Sequence, residues 1–219
     1  MADLGEFADE LLASLPNPAP GLGAGEPFAA VVGTYLAQAA AQRVPQTLQT
    51  LRDAGLLDPQ ELARAAPGDI AEVLRLAGVA NAARHAGPLR RLAEWWQRSG
   101  EAIAETDTES LRDQLLALRG IGPATADAIV LFGLGRPTYP VDRATDRVFV
   151  RHGWIDPTAD YDEARAVAQR LGSDDPSRLA HLSAGLDRIG AEFCRVAVVR
   201  CDRCPLRPWL PEGGPREPV

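Results

Sequence analysis

Apolar residues recur along the chain at intervals of three and four rather than in alternation, which is the period of helices with one buried face. Leu4, Phe7, Leu11 and Leu12 mark a first helix. The Pro- and Gly-rich stretch 16–27 interrupts the pattern and reads as a linker at a lobe boundary. Helical patterns resume at 28–42, 45–54, 59–66, 69–76 and 80–99, joined by short turns. The stretch 106–135 is the most sharply punctuated. Thr106 and Glu109 stand at capping-box spacing, Leu111, Leu115 and Leu118 share a face, and this helix is predicted to stop at Gly120. After Gly120-Ile121-Gly122, Pro123 suits the first position of a second helix through Ala126, Ile129 and Val130, ending near 133–137. The pattern predicts an all-α protein containing two helices joined by a tight glycine turn.

A length of 219 residues allows one large domain or two small lobes, either able to bury its own core. No apolar run reaches the roughly 18 residues that span a bilayer, and the acidic start lacks the basic region of a secretory signal, so a cytoplasmic protein is expected. The net charge of −7 argues against a general polyanion binder. Five of the 30 acids lie ahead of Arg43, the first basic residue, so the rest of the chain is nearly balanced. Between 188 and 207 five arginines (188, 195, 200, 203, 207) face only Glu192 and Asp202. Such a segment is either a patch that tracks a phosphate backbone or a solvated helix end. All 23 basic residues are arginine; with no lysine in these 219 residues, chemistry that needs a lysine amine is excluded from them.

The decapeptide Leu118-Arg119-Gly120-Ile121-Gly122-Pro123-Ala124-Thr125-Ala126-Asp127 is similar to the helix-hairpin-helix signature, and Val141-Asp142 follow downstream. That is where the endonuclease III-like (HhH-GPD) DNA glycosylase superfamily carries its catalytic aspartate. The resemblance runs from about residue 27 to 211. It implies a two-lobed all-α fold, with residues 28–135 as a six-helix barrel carrying the hairpin. Residues 1–27 and 136–219 would form a discontinuous lobe with a C-terminal cysteine loop, and DNA would bind across the cleft between the lobes. The hairpin has its own physical logic. Glycines permit positive φ and close backbone approach, so N–H groups at the next helix start can grip a phosphate without reading sequence. Gly120, Gly122, Ala124 and Thr125 are therefore candidate DNA contacts.

Asp142 precedes an expected helix at 143–151, where an aspartate ordinarily serves as N-cap. By resemblance it also carries the chemistry: breaking an N-glycosidic bond builds positive charge on the sugar, and a fixed carboxylate can stabilise that charge or activate water. The target nucleotide must first leave the stack. Family members fill the gap with a residue from a segment similar to Leu36-Ala37-Gln38-Ala39, which makes Gln38 a candidate; the alternative is a helix-surface glutamine. Tyr139, three residues before Asp142, is a candidate pocket wall. Trp95 and Trp96 read as packing residues, and His85, His152 and His181 lie at no metal-ligand spacing.

Two departures from the family pattern are informative. Ala124 stands where bifunctional endonuclease III enzymes carry the Schiff-base lysine, and only the α-amino group of Met1 remains as an amine, so strong β-lyase activity is not expected. The spacing Cys194-x6-Cys201-x2-Cys204 resembles the first three ligands of the family's iron–sulfur loop, but the fourth position is Leu210. The readings left open are a 4Fe–4S cluster with three cysteines and an unidentified fourth ligand such as Asp202, an incomplete iron or zinc site, or three buried reduced thiols. No nucleotide cofactor is expected. Arg195, Arg200 and Arg203 of this loop are candidate duplex contacts. The resemblance thus implies a monomeric, nucleoid-associated glycosylase of base excision repair. It would hydrolyse a damaged or mismatched base from double-stranded DNA and leave the strand intact. A lesion- or abasic-DNA-binding relative with little catalytic activity is the alternative.

Overall fold

The computed structural model describes residues 4–15 and 26–216, so the expected linker lies mostly outside the described residues. Among the described residues the fold is helical throughout; the nearest thing to a strand is one antiparallel bridge between Cys194 and Val199. The chain divides into two compact units, Gly23–Arg136 and the combination of Met1–Leu22 with Pro137–Val219.

Gly23–Arg136 contains α2 (Pro27–Ala40), α3 (Val44–Asp53), α4 (Pro59–Arg64), α5 (Pro67–Leu76), α6 (Ala82–Ser99), α7 (Thr108–Leu116) and α8 (Pro123–Ala128). Five of these carry proline in the first turn, where its missing N–H costs nothing. The core is aliphatic: Leu51, Leu62, Ile70, Leu74, Leu89, Leu92, Leu111 and Leu115 are all fully buried. Helix α6 packs against α2, α4 and α5, and α2 packs against α8 and the π-turn Ile129–Gly133 that continues it. Trp95 is buried and Trp96 packs on Phe28 with ring centroids 5.6 Å apart, so both tryptophans serve the core.

The structure departs from the sequence pattern at both ends of α7. The N-cap of α7 is Asp107 and not Thr106, because the Asp107 carboxylate accepts from the backbone N–H (2.9 Å) and hydroxyl (2.7 Å) of Ser110. The Thr106 hydroxyl instead donates back to the Ala102 carbonyl at 2.7 Å, closing the preceding turn. Helix α7 also ends at Leu116, four residues before Gly120, and single turns from Leu118 to Leu115 and from Ile121 to Leu118 lead into the hairpin.

The hairpin is pinned from beneath by a buried ion pair. Arg112 Nε of α7 lies 3.0 Å from Asp127 Oδ1 of α8, with side chains 8% and 0% exposed. Charges at that depth need such partners to offset their desolvation.

The other unit packs α1 (Leu4–Ser14), α9 (Arg143–His152), α10 (Tyr161–Gly172) and α11 (Pro176–Glu192). Its core draws on Leu11, Phe149, Leu171, Leu182, Leu186 and Ile189. Helix α11 lies so close to the start of α9 that a Cβ at Gly190 would fall 2.4 Å from the Ala144 Cβ; only glycine fits there. The basic end of α9 holds the C-terminal segment. Arg147 Nε donates to the Cys194 carbonyl (2.6 Å), and Arg151 donates to the carbonyls of Arg195 (2.8 Å) and Val196 (3.3 Å).

Candidate active site

The hairpin residues behave as their types require. Gly120 sits at φ 97°, and a Cβ there would also meet Pro88 Cγ at 2.7 Å, so glycine is needed on both conformational and packing grounds. Between the two exposed glycines, Ile121 is buried and anchors the turn, while Arg91 Nε of α6 donates to the Arg119 carbonyl at 2.8 Å. Gly122 caps α8 without a side chain, and Ala126 N–H is the first to bond back, to Gly122 O at 2.9 Å. The N–H groups of Ala124 and Thr125, both half-exposed, therefore face the ordinary deficit of a helix start and suit an external acceptor. Gln38 lies exposed on the last turns of α2, in the same unit.

Asp142 belongs to the other unit. It is exposed and caps α9, its Oδ1 accepting from Thr145 N–H at 2.6 Å, so the carboxylate is held in one orientation by the backbone. Beside it lies a hollow of about 260 Å³ lined by Val141, Asp142, Arg143, Asp146, Asp160 and Tyr161 among others. Tyr139 does not line it. Its ring is fully buried, its hydroxyl pairs with Thr145 Oγ1 at 3.0 Å, and burial pushes the phenol well above its usual range. It therefore supports the residue that positions Asp142, which its sequence distance alone did not reveal. A larger hollow of about 740 Å³, between α5 and α6, is lined by none of the candidate residues.

The cysteine loop follows α11. Cys194 is buried with Arg151 Nη1 3.2 Å from its sulfur, and Cys201 and Cys204 are half-buried. Burial, then the neighbouring Cys194, pushes Cys201 up; burial does the same to Cys204. Leu210 occupies the fourth ligand position, and among the described residues no three His, Cys, Asp or Glu side chains gather closely enough to hold a metal ion. A four-thiolate cluster does not fit this donor set. Arg195, Arg200 and Arg203 are exposed, with Arg195 Nε bonded to Ala191 O at 2.7 Å. Val196, Val198 and Val199 stand out beside them, 79%, 54% and 41% exposed.

No protein-family model matches the chain. A protein of Methanocaldococcus jannaschii named as a DNA repair glycosylase is 30% identical over 184 residues, covering 82% of this chain and 83% of its own. The chain belongs to the endonuclease III-like DNA glycosylases. An endonuclease III of Sulfolobus acidocaldarius is 31% identical over 157 residues, covering 71% of this chain and 67% of its own. The fold agrees: an endonuclease III trapped as a covalent intermediate with DNA superposes with a TM-score of 0.72 at 19% identity, over 97% of this chain and 98% of that one. Among the described residues no helix is long and apolar enough to cross a membrane.

Proposed function

We propose that this endonuclease III-like glycosylase hydrolyses the N-glycosidic bond of a damaged or mismatched base in double-stranded DNA and does not cleave the strand. The observation that carries the reading is the pairing of an exposed, backbone-held Asp142 carboxylate with an alanine at 124 in a sequence without lysine. The hairpin N–H groups grip a backbone phosphate, and the target nucleotide leaves the stack. As the bond to the base stretches, the Asp142 carboxylate stabilises the cation forming on the sugar and takes a proton from the attacking water. The products are a free base and an abasic site in an intact strand. Gln38 fills the vacated space, and Arg195, Arg200 and Arg203 meet the duplex backbone as a monomer binds. The site belongs to a protein acting where chromosomal DNA is found.

Excision on duplexes carrying a panel of lesions, each reaction split and analysed with and without alkali, tests this. Strand breaks only after alkali are the expected result and name the substrate. Breaks without alkali overturn the hydrolytic reading. No breaks with tight lesion binding favour a non-catalytic relative, the reading that Ala124 and the net charge of −7 support.

The retained spacing of Cys194, Cys201 and Cys204 supports a separate proposal, an iron–sulfur cluster completed by a non-cysteine ligand. Iron and acid-labile sulfide in equal amounts are then expected after anaerobic purification. Zinc alone, or no metal, would show that these are reduced thiols or an incomplete site.

A further inference from the structure

Helix α11 presents Ser183, Asp187 and Gly190 at positions i, i+4 and i+7, which is one face. Gly190 fixes what that face meets, since its backbone approaches Ala144 in the first turn of α9 too closely for any side chain. About two turns up the same face, Ser183 lies close to the Tyr139 phenol, which pairs with Thr145 Oγ1; the Thr145 N–H in turn holds Asp142. Asp187 lies between these two contacts, on the stretch of α11 that faces the start of α9, and both it and Asp142 are exposed.

From this juxtaposition we propose that Asp187 is a positioning residue of the site, a second carboxylate that acts through Asp142. The inference rests on the glycosylase reading of Asp142. A second negative charge behind Asp142 adds to the negative potential where the sugar cation develops, and the Asp142 charge makes Asp187 harder to ionise. Partial burial and then the Asp142 charge push the Asp187 carboxyl above its usual range, in keeping with this. Several other charged groups near this face have partners, while Arg143 and Asp146 of α9 lie exposed beside Asp142. Arg188 pairs with Glu192 on α11, Arg147 on α9 donates to the carbonyls of Arg143 and Cys194, and Arg165 on α10 and Asp9 on α1 pair with Asp162 and Arg178. Tyr139 stays neutral. On the acid side, excision therefore falls as Asp187 takes up a proton.

Two measurements decide the matter. Side-chain carboxyl NMR of the intact protein should show Asp187 titrating above an ordinary aspartate, and returning toward it in D142N. An Asp187 titration that D142N leaves unmoved overturns the pairing, whether or not any lesion is excised. In single-turnover excision, D187N should lower the rate about ten-fold, the size expected of one nearby charge, with lesion binding unchanged. It should also move the acid limb of the pH profile to lower pH, and D187E should restore most of both. A D187N enzyme with the wild-type rate and acid limb overturns the role. A wild-type protein that excises nothing overturns the glycosylase reading, while the NMR titration still decides the coupling.

Discussion

Asp142→Asn is expected to lower excision by about 10²–10³-fold while leaving lesion binding within a few-fold of wild type. The substitution is selective because of the capping geometry. The amide oxygen of asparagine can still accept the Thr145 N–H that now bonds Asp142 Oδ1 at 2.6 Å, and asparagine is as good an N-cap as aspartate. Helix α9 and the buried Tyr139–Thr145 pair beneath it should therefore stay in place. What disappears is the charge, which the forming sugar cation needs and the helix does not. Asp142→Ala provides the contrast: it removes cap and charge together and should cost about 1 kcal/mol of stability besides the activity. Single-turnover excision and lesion binding, measured on the same preparations, check both variants. Excision unchanged in Asp142→Asn would show that another group carries the reaction.

The second large effect concerns stability. Asp127→Ala leaves the Arg112 guanidinium, 8% exposed, without the carboxylate that lies 3.0 Å away, and should destabilise the protein by about 3–5 kcal/mol. Stabilities of about 5–15 kcal/mol make that a substantial fraction of the whole. Because the pair joins α7 to α8 across the hairpin, the damage should appear in DNA binding as well as in urea unfolding. The double variant Arg112→Met with Asp127→Leu should recover most of the loss, since two apolar side chains of similar size leave no buried charge behind. A shift below about 1 kcal/mol for Asp127→Ala would mean that solvent or other neighbours satisfy Arg112.

The sequence determined what depends on residue type and short spacing. Apolar positions three and four apart determined the all-helical class, and Gly122-Pro123 determined where α8 begins, although α7 ends at Leu116, ahead of the glycine turn that was expected to stop it. The absent lysine, the three spaced cysteines and the fitness of Asp142 as a helix cap could be read in the same way, because each is a property of composition or of a few adjacent residues. Tertiary structure decided whatever needs two distant segments. It buried Tyr139 under Asp142 instead of beside it, joined Arg112 to Asp127, and set Arg151 against the Cys194 sulfur. It also moved the cap of α7 from Thr106 to Asp107, because the Thr106 hydroxyl turned back to a carbonyl in the preceding turn. Most telling is Asp187, 45 positions beyond Asp142 and unremarkable on its own helix. Its place beside the start of α9 follows from the close approach that Gly190 allows, and backbone separation is set by packing, which no local pattern of residues encodes.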